Sequence, residues 1–574
     1  MLQPPADKRK AASSVTTEAT ANRTVAAAAK IARRNFIDEH IFGRMTKDGV
    51  PHTGIATDEE FARRAWLDAT GRIPEPDDLR TFLASANPRK REQLIDRLVE
   101  SPAFADKWTY YFEDLFRAGQ RMGSGLNLFH YWVREWIRLD RPYNEIVTEL
   151  LTGAGKTSFS VPGGLYFARD FVKAKDDPEE EGALDLVNVP DTVDEFTITY
   201  SKVFLGLNLS CISCHDGKHH LEKVNLFLTS KKRADFFGQA AFFGKTRQLM
   251  NWENGSQANT EYTVDDLAPG YDSKSDSILR VPRLGTGIVP PRFILTGETA
   301  RAGVHERDEL ARLITSNIQF SRALANRVWA EFMGFGIVEP VDDFDLVRYN
   351  PQTPLPEGFM AQPSNPALLD ALAVDFQKAN YSFKTLVRRI MNSSAYQLSS
   401  RFPGEWREDY APYYARKFVR LLTAPELHDS ITIATARPAS LGSGADRVAM
   451  VHQMSEPKKA SNDVQNFLRV FGQSTRDDMP RRTPPSSLQA MMLMQSKIVA
   501  DRVLAIRNSR VERLLASNPN DTRLLEEIYL STISRKPSAG ESEVALKALA
   551  RDRRRGAENL QWALINSPEF VFNY

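Results

Sequence analysis

At 574 residues the chain is long enough for at least two separate cores, and 42% apolar with 26% charged residues excludes a disordered tail or a fibrous repeat. Its 75 Lys and Arg against 73 Asp and Glu leave a net charge of +2, which gives no electrostatic basis for binding nucleic acid or anionic lipid. The longest apolar runs, Val25 to Ala29 and Ala490 to Met494, fall far short of the roughly 18 to 20 residues that span a bilayer, so no membrane-spanning segment is expected.

The composition and helical periodicity predict a mainly α, multi-helical two-domain protein with irregular loop-rich inserts and a few short β-strands. Residues 1–34 read as a flexible or helical arm, frayed over the first fifteen or so positions and carrying no visible secretory signal. The protein is therefore either intracellular or a mature form. An Ala-rich helix is expected over 17–46, with Arg33, Arg34 and Asp38 on its polar side. Asp58 reads as the cap of a helix through Trp66 and Leu67 that Gly71 and Pro74 end, and Pro76-Asp77-Asp78 opens the next. Leu94, Leu98 and Val99 form a stripe that stops at Ser101-Pro102, before a helix carrying Trp108, Tyr111, Phe112 and Leu115. Trp132 and Trp136 read as core packing. Helical periodicity is lost over 154–195, where Gly163-Gly164 and the acidic Asp176, Asp177, Glu179, Glu180 and Glu181 suggest a surface excursion; Thr192 to Leu207 regains it.

That segment leads into Cys211-Ile212-Ser213-Cys214-His215, the Cys-x-x-Cys-His spacing of covalent haem c attachment, and these are the chain's 2 cysteines. Two thiols about one helical turn apart can each form a thioether to a haem vinyl group, and the next histidine can coordinate the iron from the proximal side. Three rival readings are weaker. A thioredoxin-like dithiol belongs to a βαβ context that the flanks lack. A zinc site of Cys211, Cys214, His219 and His220 has too short a gap between its pairs. A local disulfide or two inert thiols would leave the histidine without a role.

Lys218, Lys223, Lys231, Lys232 and Arg233 follow the motif; they read first as a solvated face and second as a collar that steers an acidic redox partner. The 35–250 stretch is expected as one helical domain, 251–300 as a Gly- and Pro-rich linker with β-compatible pieces such as Ile278 to Val281, and 301–574 as a second helical domain. Helices are expected over 306–333, 366–394, 408–435, 485–508 and 521–570. Asp342-Asp343-Phe344-Asp345 reads as a turn before it reads as a cation site. Leu98 to Phe104, Leu564 to Phe570 and, more weakly, Ile390 to Tyr396 echo one another, with Arg72-Ile73-Pro74 and Arg535-Lys536-Pro537 upstream of two of them.

Phe61 to Pro74 and Ser101 to Phe104 resemble the N-terminal domain of the planctomycete-type secreted cytochrome c-like proteins, which pair two domains of unknown function. Phe204 to Leu207 running into Cys211–Lys218 is similar to that domain's haem motif. Asn326 to Trp329, Gly336 to Phe344 and Leu386 to Ser400 are similar to its C-terminal companion. The likeness covers most of residues 35–574, and it implies an exported, periplasmic or secreted protein carrying haem on Cys211, Cys214 and His215. Two positions depart from the family: Gly217 stands where a second histidine is common, and Asn365 where Ser-His-Pro is usual.

For the sixth iron ligand, His219 and His220 lie too close to His215 in sequence. Met250 is the distal candidate, and His130, His452 or Met491, Met492 and Met494 are others. The expected function is electron transfer to or from a redox partner, or within an oxidoreductase complex. The alternative is a non-catalytic surface or scaffold protein with a Cys-x-x-Cys disulfide or metal site. No Gly-x-Ser-x-Gly elbow, His-Glu-x-x-His pair or phosphate loop supports a hydrolase.

Overall fold

A computed structural model describes residues 8–21, 31–156, 162–168, 172, 188–252, 260–350, 352–442, 447–473, 475–476 and 486–574. The described chain is mainly helical. Its strands are short: β1 (Gly155–Lys156), β2 (Thr246–Trp252) and β3 (Thr260–Asp266) form an antiparallel sheet in the order β1-β3-β2, while β4 (Tyr271–Asp272) pairs with β5 (Ile288–Val289) and β6 (Arg420–Leu421) with β7 (Phe572–Asn573).

The chain forms two compact units, each assembled from separated stretches. Unit one comprises 1–8, 118–330 and 335–386; unit two comprises 9–117, 331–334 and 387–574. Each unit draws on both halves of the chain.

In unit two, Thr57 rather than Asp58 caps the helix Asp58–Thr70: its hydroxyl accepts from the Glu60 N–H, which leaves Asp58 to pair with Lys90 and Arg91. Gly71 ends that helix at φ 70°, as its position after the last apolar residue implied. Residues 1–7 lie outside the described residues. Lys8–Ala19 is a helix, and Arg416 donates to the Ser13 carbonyl and the Thr17 hydroxyl. Asp38 is buried rather than on a polar face, because its carboxylate accepts from the Ser394 and Ala395 N–H groups 356 and 357 positions away. The expected 17–46 helix is realised as Phe36–Asp48; residues 22–30 lie outside the described residues.

The three sequence echoes share one device. Ser101, Ser567 and Ser393 each close the end of a helix by donating the hydroxyl to the carbonyl three residues back, on Leu98, Leu564 and Ile390, at 2.6 to 2.7 Å. Phe104, Phe570 and Tyr396 then enter the core at 0% exposure. The expected 408–435 helix breaks into a 3₁₀ turn (Glu408–Tyr413), β6 and the helix Ala424–Thr435, since Tyr414 adopts a left-handed conformation and β6 pairs with β7.

In unit one, Trp136 is fully buried against Tyr143, whereas Trp132 is half-buried and donates its indole N–H to Glu149. Gly163 and Gly164 belong to a helix, Pro162–Ala168, not to a loop: a Cβ on Gly163 would sit 2.1 Å from the Glu149 carbonyl oxygen, so glycine permits two helices to touch. The acidic residues 176–181 lie outside the described residues. Ile278 to Val281 is not a strand, because the Ile278 and Leu279 N–H groups bond to the Asp191 carboxylate instead of a ladder.

Unit two buries a charged network. Arg420 bridges Asp68 and Glu426, the Tyr396 hydroxyl donates to Asp68 at 2.9 Å, and Lys417 lies 3.9 Å from Asp68 with its ammonium on the Phe332 carbonyl. Burial, against the pull of Asp68, brings Lys417 down to about 7. An unfolded chain holds that proton up to about pH 10.4, so unfolding takes up a proton between these values and stability rises with pH there, by up to about 1.4 kcal/mol per unit. Below the lower value both states are protonated and the slope vanishes. Urea titrations from about pH 7.5 to about 9.5 should show the wild type gaining on Lys417→Met at close to that slope; a constant difference would mean that Lys417 stays charged in the fold.

Candidate functional site

The helix Val189–Tyr200, capped by the Asn188 side chain on the Asp191 N–H, runs into a π-helical turn at Ser201–Leu205 and stops at Gly206, φ 67°. An aromatic cluster holds it: Phe196 packs edge-on to Phe243 at 4.7 Å, and Phe167 stacks on Phe243 at 5.5 Å. Residues from the second half of the chain satisfy the carbonyls at its end. Arg327 donates to Lys202, Gln319 to Leu205, and the Phe344 N–H to Gly206 at 2.8 Å. A Cβ on Gly206 would lie 2.6 Å from the Phe344 ring, which is why glycine ends the helix here.

Past this stop, Cys211–Ser213 forms one 3₁₀ turn, with the Cys214 and His215 N–H groups both donating to the Cys211 carbonyl. The turn thus brings Cys211, Cys214 and His215 together. Both cysteines are free thiols, and both, like His215, are partly exposed. The His215 Nδ1 lies 2.7 Å from the Asp216 carbonyl oxygen, which can only accept. Nδ1 therefore carries the hydrogen, and Nε2 keeps its lone pair free for a ligand bond. The His220 ring lies 4.4 Å from that of His215. Two free thiols and an imidazole oriented through its far nitrogen form a donor set that fits haem c.

Distant residues grip the turn. Arg233 donates to the Ser213 carbonyl at 3.0 Å, and Arg280 donates to the Ser213 hydroxyl at 3.0 Å. Arg280 and Arg283 in turn lie on Asp191 and Asp194, all four side chains being almost wholly buried. Burial works against the Asp191 charge, yet the Ser277 hydroxyl and two backbone N–H groups hold its carboxyl below the usual range. Burial raises Asp194. Of the five basic residues after the motif, Lys218, Lys223 and Lys232 are exposed, whereas Arg233 is a structural clamp.

The Asp342 to Asp345 cluster is a turn, as its composition implied, and it does more. Asp345 accepts from the Leu226 and Phe227 N–H groups at 2.8 and 3.0 Å, and Asn225 donates to Asp343. Burial raises the Cys211 thiol, and the Asp343 carboxylate adds to the rise. Burial also raises Asp343 itself, with Asp342 and Asp345 adding to it. The sequence carried the acidic run but not its partner; only the fold places it beside Cys211.

Cys211, Cys214, His219 and His220 do not converge as a metal-ligand set. Among the described residues one such group forms, Asp266, His305 and Glu306, and there Arg307 and Lys245 already neutralise the carboxylates. Met250 sits in β2 opposite Tyr262, and its side chain lies outside the described residues. His130 is buried in the helix Leu126–Leu139; His452 belongs to unit two, with Nδ1 on Asp429 at 2.8 Å, and Met491 and Met494 of that unit are half-exposed.

Residues 36–248 match the family model described as a protein of unknown function (DUF1549), and residues 306–549 match that described as a protein of unknown function (DUF1553). No curated protein and no solved structure matches the chain.

Gly217 packs against the next turn: a Cβ there would meet the Leu228 carbonyl oxygen at 1.8 Å. Gly217→Ala should therefore lower stability by about 2 kcal/mol in thermal unfolding, whereas an unchanged midpoint would show that the loop moves aside freely. Asp343→Asn removes one of the influences that hold the Cys211 thiol up, so iodoacetamide should modify Cys211 about threefold faster relative to Cys214 near pH 8. Equal ratios in the two proteins would show that the Asp343 charge does not act on the thiol.

Proposed function

We propose that this chain, which carries the DUF1549 and DUF1553 domains together, is a monohaem c-type electron-transfer protein that works outside the cytoplasm, in the periplasm or as a secreted protein. One observation carries the reading. Two free, partly exposed thiols stand one turn apart, followed by an imidazole whose Nδ1 is committed to a backbone carbonyl and whose Nε2 is left for a metal.

Cys211 and Cys214 would hold haem through thioethers and His215 would supply the proximal nitrogen, and the bound group would contribute a one-electron iron couple. The rest of the work belongs to the chain. The Asp216 carbonyl fixes the His215 tautomer, and Arg233 and Arg280 hold the turn through Ser213. Burial, with Asp343 adding to it, raises the Cys211 thiol and so lowers its thiolate fraction, which slows disulfide exchange before maturation. The exposed Lys218, Lys223 and Lys232 beside the turn give an acidic redox partner a surface to approach.

Protein exported in a host that matures c-type cytochromes should give a covalent haem band on reducing, denaturing electrophoresis. The Cys211→Ser plus Cys214→Ser variant should lose it, and His215→Ala should keep the band while changing the reduced absorption spectrum. Cytosolic material should come out colourless. A colourless exported wild type of normal mass would remove the redox reading and leave a scaffold protein in its place.

A further inference from the structure

The segment Ser277–Leu284 inverts the usual arrangement of a surface loop. Its charged side chains point in and its aliphatic ones point out. Arg283 and Arg280 are buried on Asp194 and Asp191, at 0% and 4% side-chain exposure. Ile278, Leu279 and Val281 are 53%, 54% and 56% exposed. Its backbone is equally committed: Ile278 and Leu279 donate to Asp191, and the Val281 and Pro282 carbonyls accept from Arg233 at 2.8 and 2.7 Å. Single exposed aliphatics are ordinary, but three within four residues on a tightly held backbone mark a surface made to be covered.

Its position says by what. The same Arg233 guanidinium that holds Val281 and Pro282 holds the Ser213 carbonyl, and the Ser213 hydroxyl lies 3.8 Å from the Cys214 Sγ. Arg280, between Leu279 and Val281, bonds the Ser213 hydroxyl. The backbone that carries the aliphatic strip is thus fastened at two points to Ser213, the residue before Cys214, whose hydroxyl lies 3.8 Å from the Cys214 Sγ. A haem tethered there is a flat, largely apolar disc that needs an apolar surface to exclude water. We propose that Ile278, Leu279 and Val281 form the wall against which haem held by Cys211 and Cys214 packs. This rests on the haem reading above and adds the residues that set its environment. A dry wall disfavours the more highly charged oxidised iron and so raises the reduction potential.

The test compares exported wild type with the triple variant Ile278→Asn, Leu279→Asn and Val281→Asn, using Val544→Asn, a 71% exposed site in unit two, as the surface control. Haem staining, the absorption spectrum, an optical redox titration and size-exclusion chromatography are read on each. The triple variant should keep covalent haem but shift its midpoint potential downward by about 59 mV, which is about tenfold in the ratio of reduced to oxidised protein for a one-electron couple; Val544→Asn should not shift it. Covalent haem in both proteins with an unchanged spectrum and potential overturns the wall while the haem reading stands. A change of oligomeric state without a change of potential also overturns it and makes the strip an interface between copies. A wild type without haem removes both readings at once. Should the triple variant fail to fold by circular dichroism, Leu279→Asn alone is read in the same way.

Discussion

The architecture around the cysteine turn depends on one buried exchange of charge. Asp191 and Asp194 project from the helix Val189–Tyr200 into a site with almost no solvent, where Arg280 and Arg283 meet them. Removing four charges from water is costly, and Coulomb attraction alone rarely offsets it; such a cluster persists when every remaining donor and acceptor is used. Here they are used: Asp191 accepts from the Ser277 hydroxyl and two N–H groups, Asp194 from the Tyr271 hydroxyl, and Arg283 donates to the Ser275 and Asp276 carbonyls. Losing one partner would leave an uncompensated buried charge, at about 3 to 5 kcal/mol. The cluster therefore fixes the 275–283 loop on the helix. Once the loop is fixed, Arg280 reaches Ser213 and the aliphatic side chains are left facing outward.

Unit two solves a different problem with the same economy of means. Its three echoing segments need helices to end abruptly so that an aromatic ring can turn into the core, and a serine hydroxyl on the carbonyl three residues back does this each time. The weaker copy, at Ile390 to Tyr396, lacks the proline that starts a new helix in the other two. Side chains from far away compensate: Asp38 accepts from Ser394 and Ala395, and Arg64 donates to the Tyr396 and Leu398 carbonyls. A turn that local sequence specifies poorly is specified by tertiary contacts.

The same distinction separates what could be read from the residues from what could not. Helix ends governed by local chemistry were legible: the Gly71 stop, the Pro76 start, the Ser101-Pro102 break and the amphipathic run into the cysteines. So was the cysteine turn itself, since its spacing is a local property. Positions whose partners lie in other elements, from 14 to more than 350 positions away, were not. Asp38 has the composition of a surface residue and is a buried cap; Ile278 to Val281 has the composition of a strand and gives its N–H groups to a carboxylate. Gly163-Gly164 looks like a loop and is a close contact between helices. The Asp343 carboxylate beside Cys211 belongs to this second class, because nothing within ten residues of either position indicates the other.

That long-range dependence gives the tandem arrangement of the two domains a physical meaning. The motif lies within the first matched region, 36–248, yet the helix that delivers it ends on the side chains of Gln319 and Arg327 and the N–H of Phe344, all in the second, 306–549. Asn326 exchanges two hydrogen bonds with Val338, which shapes the run leading to Asp343, and Asp345 then anchors the helix Leu226–Thr229 behind the turn. Without the second region, the Leu205 and Gly206 carbonyls at the end of that helix and the Leu226 and Phe227 N–H groups would lose these partners, each unsatisfied group costing about 1 to 3 kcal/mol if buried. The first region alone therefore lacks part of what ends the helix that delivers its cysteines. Parts of both regions, 118–248 of the first and 306–386 of the second apart from 331–334, build the unit that holds the motif.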